Sequence, residues 1–143
     1  MAATRTAKAS WSGDLFTGNG TVSGTSSNVL TDQPVTWAAR TEDPGGKTSP
    51  EELVAAAHAS CYAMAFSNTL APAGHVPESL EVTAAVTFVP GTGVTKSELT
   101  VVGKVPGLSE EEFKEFAKQG EQACPISNLI RGGAEITLDA KLA

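Results

Sequence analysis

The sequence has no apolar run approaching the roughly 20 residues that a transmembrane helix requires, which argues against a membrane-spanning protein. Its first ten residues include Arg5 and Lys8 but no apolar segment of the kind found in secretory signals. We therefore expect no membrane partner and, by default, a cytoplasmic location.

Positive charge is also scarce. Lys and Arg together number 10 and Asp and Glu 16, which gives a formal net charge of −6 at pH 7. Phosphate backbones and anionic lipids repel an acidic protein, so neither nucleic acid nor an anionic membrane surface is expected as a partner. We find no internal repeat and no low-complexity segment. The length of 143 residues favours one globular domain over residues 1–143.

The chain has only two cysteines, Cys61 and Cys124, and two histidines, His58 and His75. In a cytosolic protein this cysteine count favours a redox or catalytic pair over a structural disulfide. A zinc site from His58, Cys61 and Cys124 is a weak alternative, because the CxxC and HExxH spacings typical of zinc sites are absent. We expect neither a metal nor an organic cofactor. The remaining alternative is that both thiols are small buried hydrophobic groups.

Hydrophobic periodicity and turn residues divide the chain into six strands and two main helices. The resulting fold class is α+β: N-terminal antiparallel strands, a long buried central helix, further antiparallel strands and a second helix. No boundary indicates two independent domains, although residues 1–40 could form a sheet apart from the rest. The predicted elements are strands over 4–12, 21–30 and 35–39, a helix from 48 to about 70, strands over 79–89 and 94–105, a helix from 109, a helical turn over 126–131, and a strand over 134–142.

The second half of the chain has the most regular patterns. Residues 79–89 and 94–105 alternate apolar and polar side chains on either side of a Pro-Gly turn, as an antiparallel pair does. Ser109 then opens a helix with Glu112 at N3, which forms a capping box. Cys124 ends this helix, because the residue before a proline is biased away from the helical region.

Segment 48–66 is the central helix around which the chain is organised. Ser49 is a suitable N-cap, Pro50 fits the first helical position, and Glu52 at N3 completes a predicted capping box. No permanently charged side chain follows Glu52 in the segment, and a helix that is apolar all round is usually buried. Cys61 is therefore expected on a rigid, mostly buried element.

The two cysteines are the first candidates for chemistry. A thiolate that attacks the O–O bond of a peroxide becomes a sulfenic acid, which a second thiol captures as a disulfide. Activating a thiolate requires nearby positive charge, and Arg40, in the loop that enters the central helix, is the best-placed cation. Glu51 is suited to hold that guanidinium in a bidentate pair. The alternatives are a solvated loop arginine at position 40 and a carboxylate that only complements the helix dipole at position 51.

His58 precedes Cys61 by one helical turn. Side chains three residues apart on a helix approach each other, so a Cys–His pair is one hypothesis. The alternative, a core histidine bonded to a neighbouring backbone or side chain, is favoured.

Three segments stand out in the sequence: Ser49–Cys61 (SPEELVAAAHASC), Ala123–Ser127 (ACPIS) and Ala134–Asp139 (AEITLD). Two more lie near the start: Trp11–Asp14 (WSGD) and Gly18–Ser23 (GNGTVS). Together these segments resemble the OsmC/Ohr family of thiol peroxidases, and within it the osmotically inducible OsmC branch. The resemblance covers nearly the whole chain, and the two cysteine segments are specific.

This resemblance implies the reduction of organic hydroperoxides, with Cys61 as the attacking thiol, Cys124 as the resolving thiol and protection against oxidative stress as the role. Arg40 and Glu51 match the arginine and glutamate of the family. The Ohr branch has its arginine much nearer the N-terminus, where this chain has only Arg5, so the OsmC branch is favoured. The family further implies an intertwined homodimer and an external dithiol reductant, of lipoyl type or a small thiol.

Helix geometry bears on the dimer. Glu51 and Cys61 are ten residues apart, which is about 15 Å along a straight helix. If two copies cross antiparallel near Ala56, where the side chains are small, Glu51 of one chain lies level with Cys61 of the other. We therefore predict that each site combines Cys61 and Cys124 of one chain with Glu51 and Arg40 of its partner.

Apolar side chains are expected to line a pocket that favours alkyl or lipid hydroperoxides over hydrogen peroxide; the candidates are Leu53, Met64, Phe66 and Ile126. Two other functions stay open at this point. One is a non-enzymatic small-molecule binder or redox sensor on the same scaffold. The other is a structural dimer with incidental thiols.

Overall fold

The computed structural model describes residues 1–143 and has the α+β composition predicted from the sequence. The chain divides into two compact units, Met1–Leu53 and Val54–Ala143, and the boundary falls within the longest helix. The single-domain interpretation stays a prediction. No helix combines the length and hydrophobicity needed to cross a lipid bilayer.

The first unit contains a three-stranded antiparallel sheet in the order β1-β2-β3, in agreement with the predicted N-terminal antiparallel strands. Its strands are β1 Ala7–Ser12, β2 Asn19–Gly24 and β3 Gln33–Val35. The second strand ends well before the predicted Leu30, because the chain turns at Asn28. That residue adopts a left-handed φ of 58°, and its amide donates to the Gly24 carbonyl at 3.0 Å.

The prediction of a third strand over 35–39 is largely wrong. Only Val35 belongs to β3, and the next residues form a short helix, α1, over Trp37–Thr41. The cause is Thr36, whose extended backbone and side chain make it an N-cap: its Oγ1 accepts a hydrogen bond from the Ala39 amide at 3.1 Å. Arg40 therefore lies on a helix rather than in a loop.

The central helix, α2, spans Pro50–Leu70, as predicted. Ser49 caps it, because its Oγ accepts from the Glu52 amide at 3.1 Å. The predicted capping box is only half formed, since the Glu52 carboxylate accepts instead from the Thr48 hydroxyl at 2.6 Å. A 3₁₀ turn over Ala71–Ala73 follows the helix.

The single chain buries one face of α2 rather than its whole circumference. Residues at four-residue spacing point into the core, and His58, Tyr62, Phe66 and Leu70 are all fully buried. The opposite face is accessible and mostly apolar, although Ser60 and Asn68 also lie on it. Its apolar exposed residues are Val54, Ala56, Ala57 and Met64, and we call these four the outer face of α2. The prediction that α2 is buried all round is therefore confirmed for one face only.

The second unit has a three-stranded sheet in the order β4-β5-β6. Strands β4 (Ser79–Val89) and β5 (Gly93–Lys104) pair antiparallel, as predicted. Strand β6 (Glu135–Leu142) pairs parallel to β5, which corrects the expectation that all later strands are antiparallel. The reason is the connection: two helices, α3 (Glu110–Ala123) and α4 (Pro125–Ile130), return the chain to the start of the sheet, as a crossover does.

The core of the second unit lies between this sheet and the helices. Tyr62 and Phe66 of α2 pack in series with Phe113 of α3 in tilted arrangements, with ring centroids 5.6 and 5.3 Å apart. Strand β5 contributes Leu99 and Val101, both almost fully buried. The capping box predicted for α3 is complete, which fixes where that helix begins.

Candidate active site

Cys124 lies at the bend between α3 and α4 and is fully buried. Its backbone is extended (φ −72°, ψ 116°), as expected for a residue that precedes proline, so the predicted end of α3 is confirmed. Its sulfur also caps α4, because the Ser127 amide donates to Cys124 Sγ at 3.4 Å. Cys124 is thus held by the two helices that meet at it.

Cys61 is half-buried on α2, and its thiol lies close enough to the thiol of Cys124 for the two groups to interact. Both cysteines are free. Burial raises the pKa of Cys61 above its usual value, and Cys124 raises it further, while the Ile126 amide, which donates to the Cys61 sulfur, lowers it. Two consecutive backbone amides at the start of α4 therefore interact with the two sulfurs, the Ile126 amide with Cys61 and the Ser127 amide with Cys124.

The bend that carries Cys124 is closed by polar contacts between α3 and the end of α4. Arg131 Nη2 lies 2.7 Å from Glu121 Oε1, and the Glu121 carboxylate is largely buried. Asn128 Nδ2 donates to the Gln122 carbonyl at 3.2 Å. These contacts tie both sides of the bend together, which restricts the position of the sulfur at its apex.

Arg40 and Glu51 form the bidentate pair predicted from the sequence. Arg40 Nε lies 3.1 Å from both carboxylate oxygens of Glu51, and Nη2 donates to Oε1 at 2.8 Å. The Glu51 side chain is 8% exposed and that of Arg40 28% exposed. The guanidinium carbon also lies 5.9 Å from the ring centroid of Trp37, within cation–π range. Glu51 therefore does more than complement the helix dipole, since it orients a specific guanidinium.

A cavity of about 370 Å³ in the first unit has Arg40 in its wall. Its other lining residues are mainly apolar and two are indoles: Trp11, Leu15, Val35, Thr36, Trp37 and Pro50. Sequence reasoning missed this set and proposed a different one, none of which lines this cavity: Leu53, Met64, Phe66 and Ile126. For Phe66 the prediction is wrong, because its ring is fully buried between Tyr62 and Phe113. The WSGD motif was the available signal for Trp11, but nothing in the sequence pointed from it to Arg40.

His58 is a core histidine, as favoured from the sequence, and not the partner of Cys61. Its ring lies between two buried serines: Nδ1 is 2.7 Å from Ser97 Oγ, and Nε2 is 2.8 Å from Ser127 Oγ. Burial lowers the pKa of His58. Because both ring nitrogens are occupied, the imidazole offers no lone pair to a metal. No group of three His, Cys, Asp or Glu side chains is arranged to hold a metal ion.

Neither serine was singled out from the sequence. Ser97 lies on the inward face of β5, two residues before Leu99, so a polar residue at an apolar position was the usable signal. Altogether the structure arranges the site residues predicted from the sequence as two pairs. Cys61 and Cys124 meet in the second unit, and Arg40 and Glu51 meet in the first.

Comparisons with known proteins agree with these motifs. The family model described as OsmC-like protein matches residues 43–139. The chain is 41% identical over 138 residues to peroxiredoxin OsmC of Escherichia coli, which covers 94% of each chain. It is 32% identical over 99 residues to an organic hydroperoxide resistance protein of Xanthomonas axonopodis pv. citri, covering 66% of this chain and 67% of the relative.

A solved structure from Legionella pneumophila, an organic hydroperoxide resistance protein OsmC, superposes with a TM-score of 0.73 at 25% identity. It covers 99% of this chain and 98% of that one. The two cysteine segments and the fold therefore identify the same relatives, and the higher identity to peroxiredoxin OsmC agrees with the branch inferred from the position of Arg40. The chain belongs to the OsmC/Ohr family.

Proposed function

We propose that this protein is a thiol-dependent peroxidase that reduces organic hydroperoxides to alcohols. The observation that carries the proposal is the proximity of two free thiols, Cys61 and Cys124, one half-buried and the other fully buried. The names of the relatives, a peroxiredoxin and organic hydroperoxide resistance proteins, support the same activity.

In the first step the Cys61 thiolate attacks the terminal oxygen of the hydroperoxide. An S–O bond forms, the O–O bond breaks, and the alkoxide leaves with a proton as the alcohol, so Cys61 becomes a sulfenic acid. The Ile126 amide stabilises the negative charge on sulfur before the attack.

In the second step the Cys124 sulfur attacks the sulfenic sulfur. The S–S bond forms, the S–O bond breaks, and hydroxide leaves with the thiol proton as water. An external dithiol, of lipoyl type or a small thiol, then reduces the Cys61–Cys124 disulfide and is itself oxidised. The contact between the thiols supports this assignment, because the resolving sulfur starts beside its target.

Activation of Cys61 requires a positive charge that its surroundings within the second unit do not supply. The influences on its pKa are burial, an amide and another thiol, and their balance raises it. We assign the cation to Arg40, which Glu51 holds in a fixed orientation. Its guanidinium would stabilise the thiolate and the oxygen that departs from the peroxide.

The length of α2 supports a site shared between two chains. The helix runs unbroken over Pro50–Leu70, and ten residues of helix separate Glu51 from Cys61 by about 15 Å along its axis. Two α2 helices that cross antiparallel near Ala56 bring the partner's Glu51 level with Cys61. The accessible outer face of α2, which is apolar and includes two alanines, suits such a crossing.

Mass spectrometry tests the peroxidase proposal. One equivalent of cumene hydroperoxide should yield a Cys61–Cys124 link, and Cys61→Ser should abolish peroxide consumption. If Cys61→Ser consumes peroxide at the wild-type rate, the proposal fails. If the wild-type protein consumes none and binds small apolar molecules with or without Cys61, the binder or sensor hypothesis replaces it.

Mixing two inactive variants tests the shared site. In a dimer formed from Cys61→Ser and Arg40→Ala chains, one site regains both functional groups if Arg40 comes from the partner. Subunit exchange should therefore restore activity of up to half the wild-type value per dimer. Activity that stays at background after confirmed exchange, or a fully active monomer, would contradict this arrangement.

The apolar cavity beside Arg40 supports a preference for alkyl and aromatic hydroperoxides over hydrogen peroxide. Burying an alkyl chain against Trp11 and Trp37 contributes binding free energy that hydrogen peroxide cannot supply. The ratio of kcat/KM for cumene hydroperoxide to that for hydrogen peroxide measures the preference. Trp11→Ala should reduce this ratio, and a variant that leaves it unchanged would exclude the cavity as the substrate pocket.

A further inference from the structure

The chain contains one fully buried polar cluster that the proposed mechanism does not use. It consists of Ser97 on β5, His58 on α2 and Ser127 on α4, and all three are at most 1% exposed. The two hydrogen bonds that join them, at 2.7 and 2.8 Å, link three separate elements through one imidazole. We call this the histidine bridge.

The histidine bridge ends at the residue that holds the resolving sulfur. Ser127 accepts or donates through its hydroxyl to His58, while its backbone amide donates to Cys124 Sγ. The preceding amide, that of Ile126, donates to the Cys61 sulfur. The first turn of α4 therefore carries both sulfur contacts, and the bridge is its hydrogen-bonded attachment to α2.

Attachment at this point has a mechanical consequence. Helix α4 has only six residues, so its own hydrogen bonds do little to fix its orientation. The Glu121–Arg131 ion pair holds its far end from the side of α3, where the Arg131 side chain is 47% exposed. The histidine bridge holds the first turn of α4 from the side of α2, in a buried environment where a lost hydrogen bond is costly.

We propose that His58 is a positioning residue for the resolving step, because it ties the first turn of α4 to α2 and so keeps the Cys124 sulfur beside the Cys61 sulfur. This inference rests on the proposed peroxidase function and assigns His58 a part in it. His58 touches neither the peroxide nor the sulfurs through its ring nitrogens. Its loss should slow capture of the sulfenic acid and leave the first oxidation step unchanged.

The ratio in which the sulfenic acid forms disulfide or sulfinic acid is a readout that a change in the overall stability of the fold does not alter. Once formed, the Cys61 sulfenate either reacts with Cys124, releasing water, or is oxidised by a second hydroperoxide to the sulfinic acid, releasing a second alcohol. The hydroperoxide concentration at which the two products are equal measures the ratio of the two rates. Intact-mass spectrometry after titration with cumene hydroperoxide gives that concentration directly.

Two amide variants separate the ends of the histidine bridge. In His58→Gln the amide reaches the position of Nε2 and keeps the bond to Ser127. In His58→Asn it reaches only the position of Nδ1 and keeps the bond to Ser97. We expect His58→Asn and Ser127→Ala to lower the equal-product concentration by about threefold to tenfold, the factor that one buried hydrogen bond is worth. His58→Gln should stay within about twofold of wild type by the same measure.

Tyr62→Phe is the matched control. It removes another buried hydrogen bond of the same core, from the Tyr62 hydroxyl to the Ala117 carbonyl of α3 at 3.0 Å, and leaves both hydrogen bonds of the histidine bridge in place. It should leave the partition unchanged. A partition in Ser127→Ala equal to wild type overturns the inference, as does a shift in Tyr62→Phe as large as that in Ser127→Ala.

The experiment also separates this inference from the function beneath it. If the wild-type protein forms neither disulfide nor sulfinic acid, the peroxidase proposal fails. If the wild type forms disulfide and Ser127→Ala forms it equally well, only the role of His58 fails. Should His58→Asn not fold, as its thermal transition would reveal, Ser127→Ala and His58→Gln still decide the matter.

Discussion

Replacing Glu51 with glutamine is the most direct perturbation of the proposed activating cation. The change keeps the size and shape of the side chain but removes its charge. In the wild-type protein Arg40 faces the Glu51 carboxylate, which accepts three N–H contacts of 2.8 to 3.1 Å. A glutamine amide has one oxygen and one NH₂ group, so at most one arm of the fork survives and the other becomes a donor facing a donor.

The magnitude follows from the strength of the lost arm. A hydrogen bond to a charged group contributes about 1.5 to 3 kcal/mol, and the 28% exposure of the Arg40 side chain reduces this to about 1 to 2 kcal/mol. Each 1.36 kcal/mol is tenfold in rate. If the orientation of Arg40 is required in the transition state, kcat/KM for cumene hydroperoxide should fall about fivefold to thirtyfold.

The control is Glu52→Gln, one residue along the same helical turn. Glu52 is exposed and pairs with the Thr48 hydroxyl rather than with a cation, so its variant should keep wild-type kcat/KM. Stopped-flow measurement of the first oxidation step isolates the effect from disulfide reduction. If Glu51→Gln oxidises as fast as Glu52→Gln, Arg40 does not need its carboxylate, and the activation argument is wrong.

Three further changes test other parts of the structure. Cys124→Ser should accumulate the sulfenic acid and then the sulfinic acid, detected by mass, and recovery of dithiol-dependent turnover would argue against its resolving role. Gly120→Ala should lower the free energy of unfolding in urea by about 1 to 3 kcal/mol, because its Cβ would lie 2.9 Å from Phe66 Cα, whereas Gly133→Ala has space and should have little effect. The lowered pKa of His58 means that the unfolded chain takes up its proton first; stability from this group is complete above the usual pKa of 6.5 and is lost as pH falls through the lower folded value. The urea midpoint should therefore drop more between pH 7.5 and 5.5 in wild type than in His58→Gln, and equal drops would refute the linkage.

Local sequence signals predicted most of the helices and strands of the second unit. The alternation in β4 and β5, the Ser109 capping box and the proline after Cys124 each act over a few residues, so their consequences are visible without tertiary information. The prediction of the third strand was wrong for a local reason. The Thr36 side chain accepts a hydrogen bond from a backbone amide as an N-cap, so α1 forms where β-propensity favoured an extended segment.

The remaining differences depend on contacts between distant residues. The parallel pairing of β6 is set by the crossover through α3 and α4, which strand patterns do not encode. The Arg40–Glu51 pair was predictable because both residues flank one loop. The histidine bridge was not, since its members are 39 and 69 residues apart in sequence and only the fold brings them together.

Helix α2 relates the proposed chemistry to the proposed assembly. Its buried face carries His58 and Tyr62 into the core, which fixes where Cys61 can point. Its outer face exposes Val54 and Met64, and the exposure of apolar side chains to water costs free energy. A second copy covering that face would remove these side chains from water. It would also bring a positive charge, that of its Arg40, to the Cys61 thiol, whose raised pKa otherwise disfavours the thiolate. The same burial that assembles the dimer would then assemble the site, so a variant that weakens the crossing should lose activity in proportion to its loss of dimer.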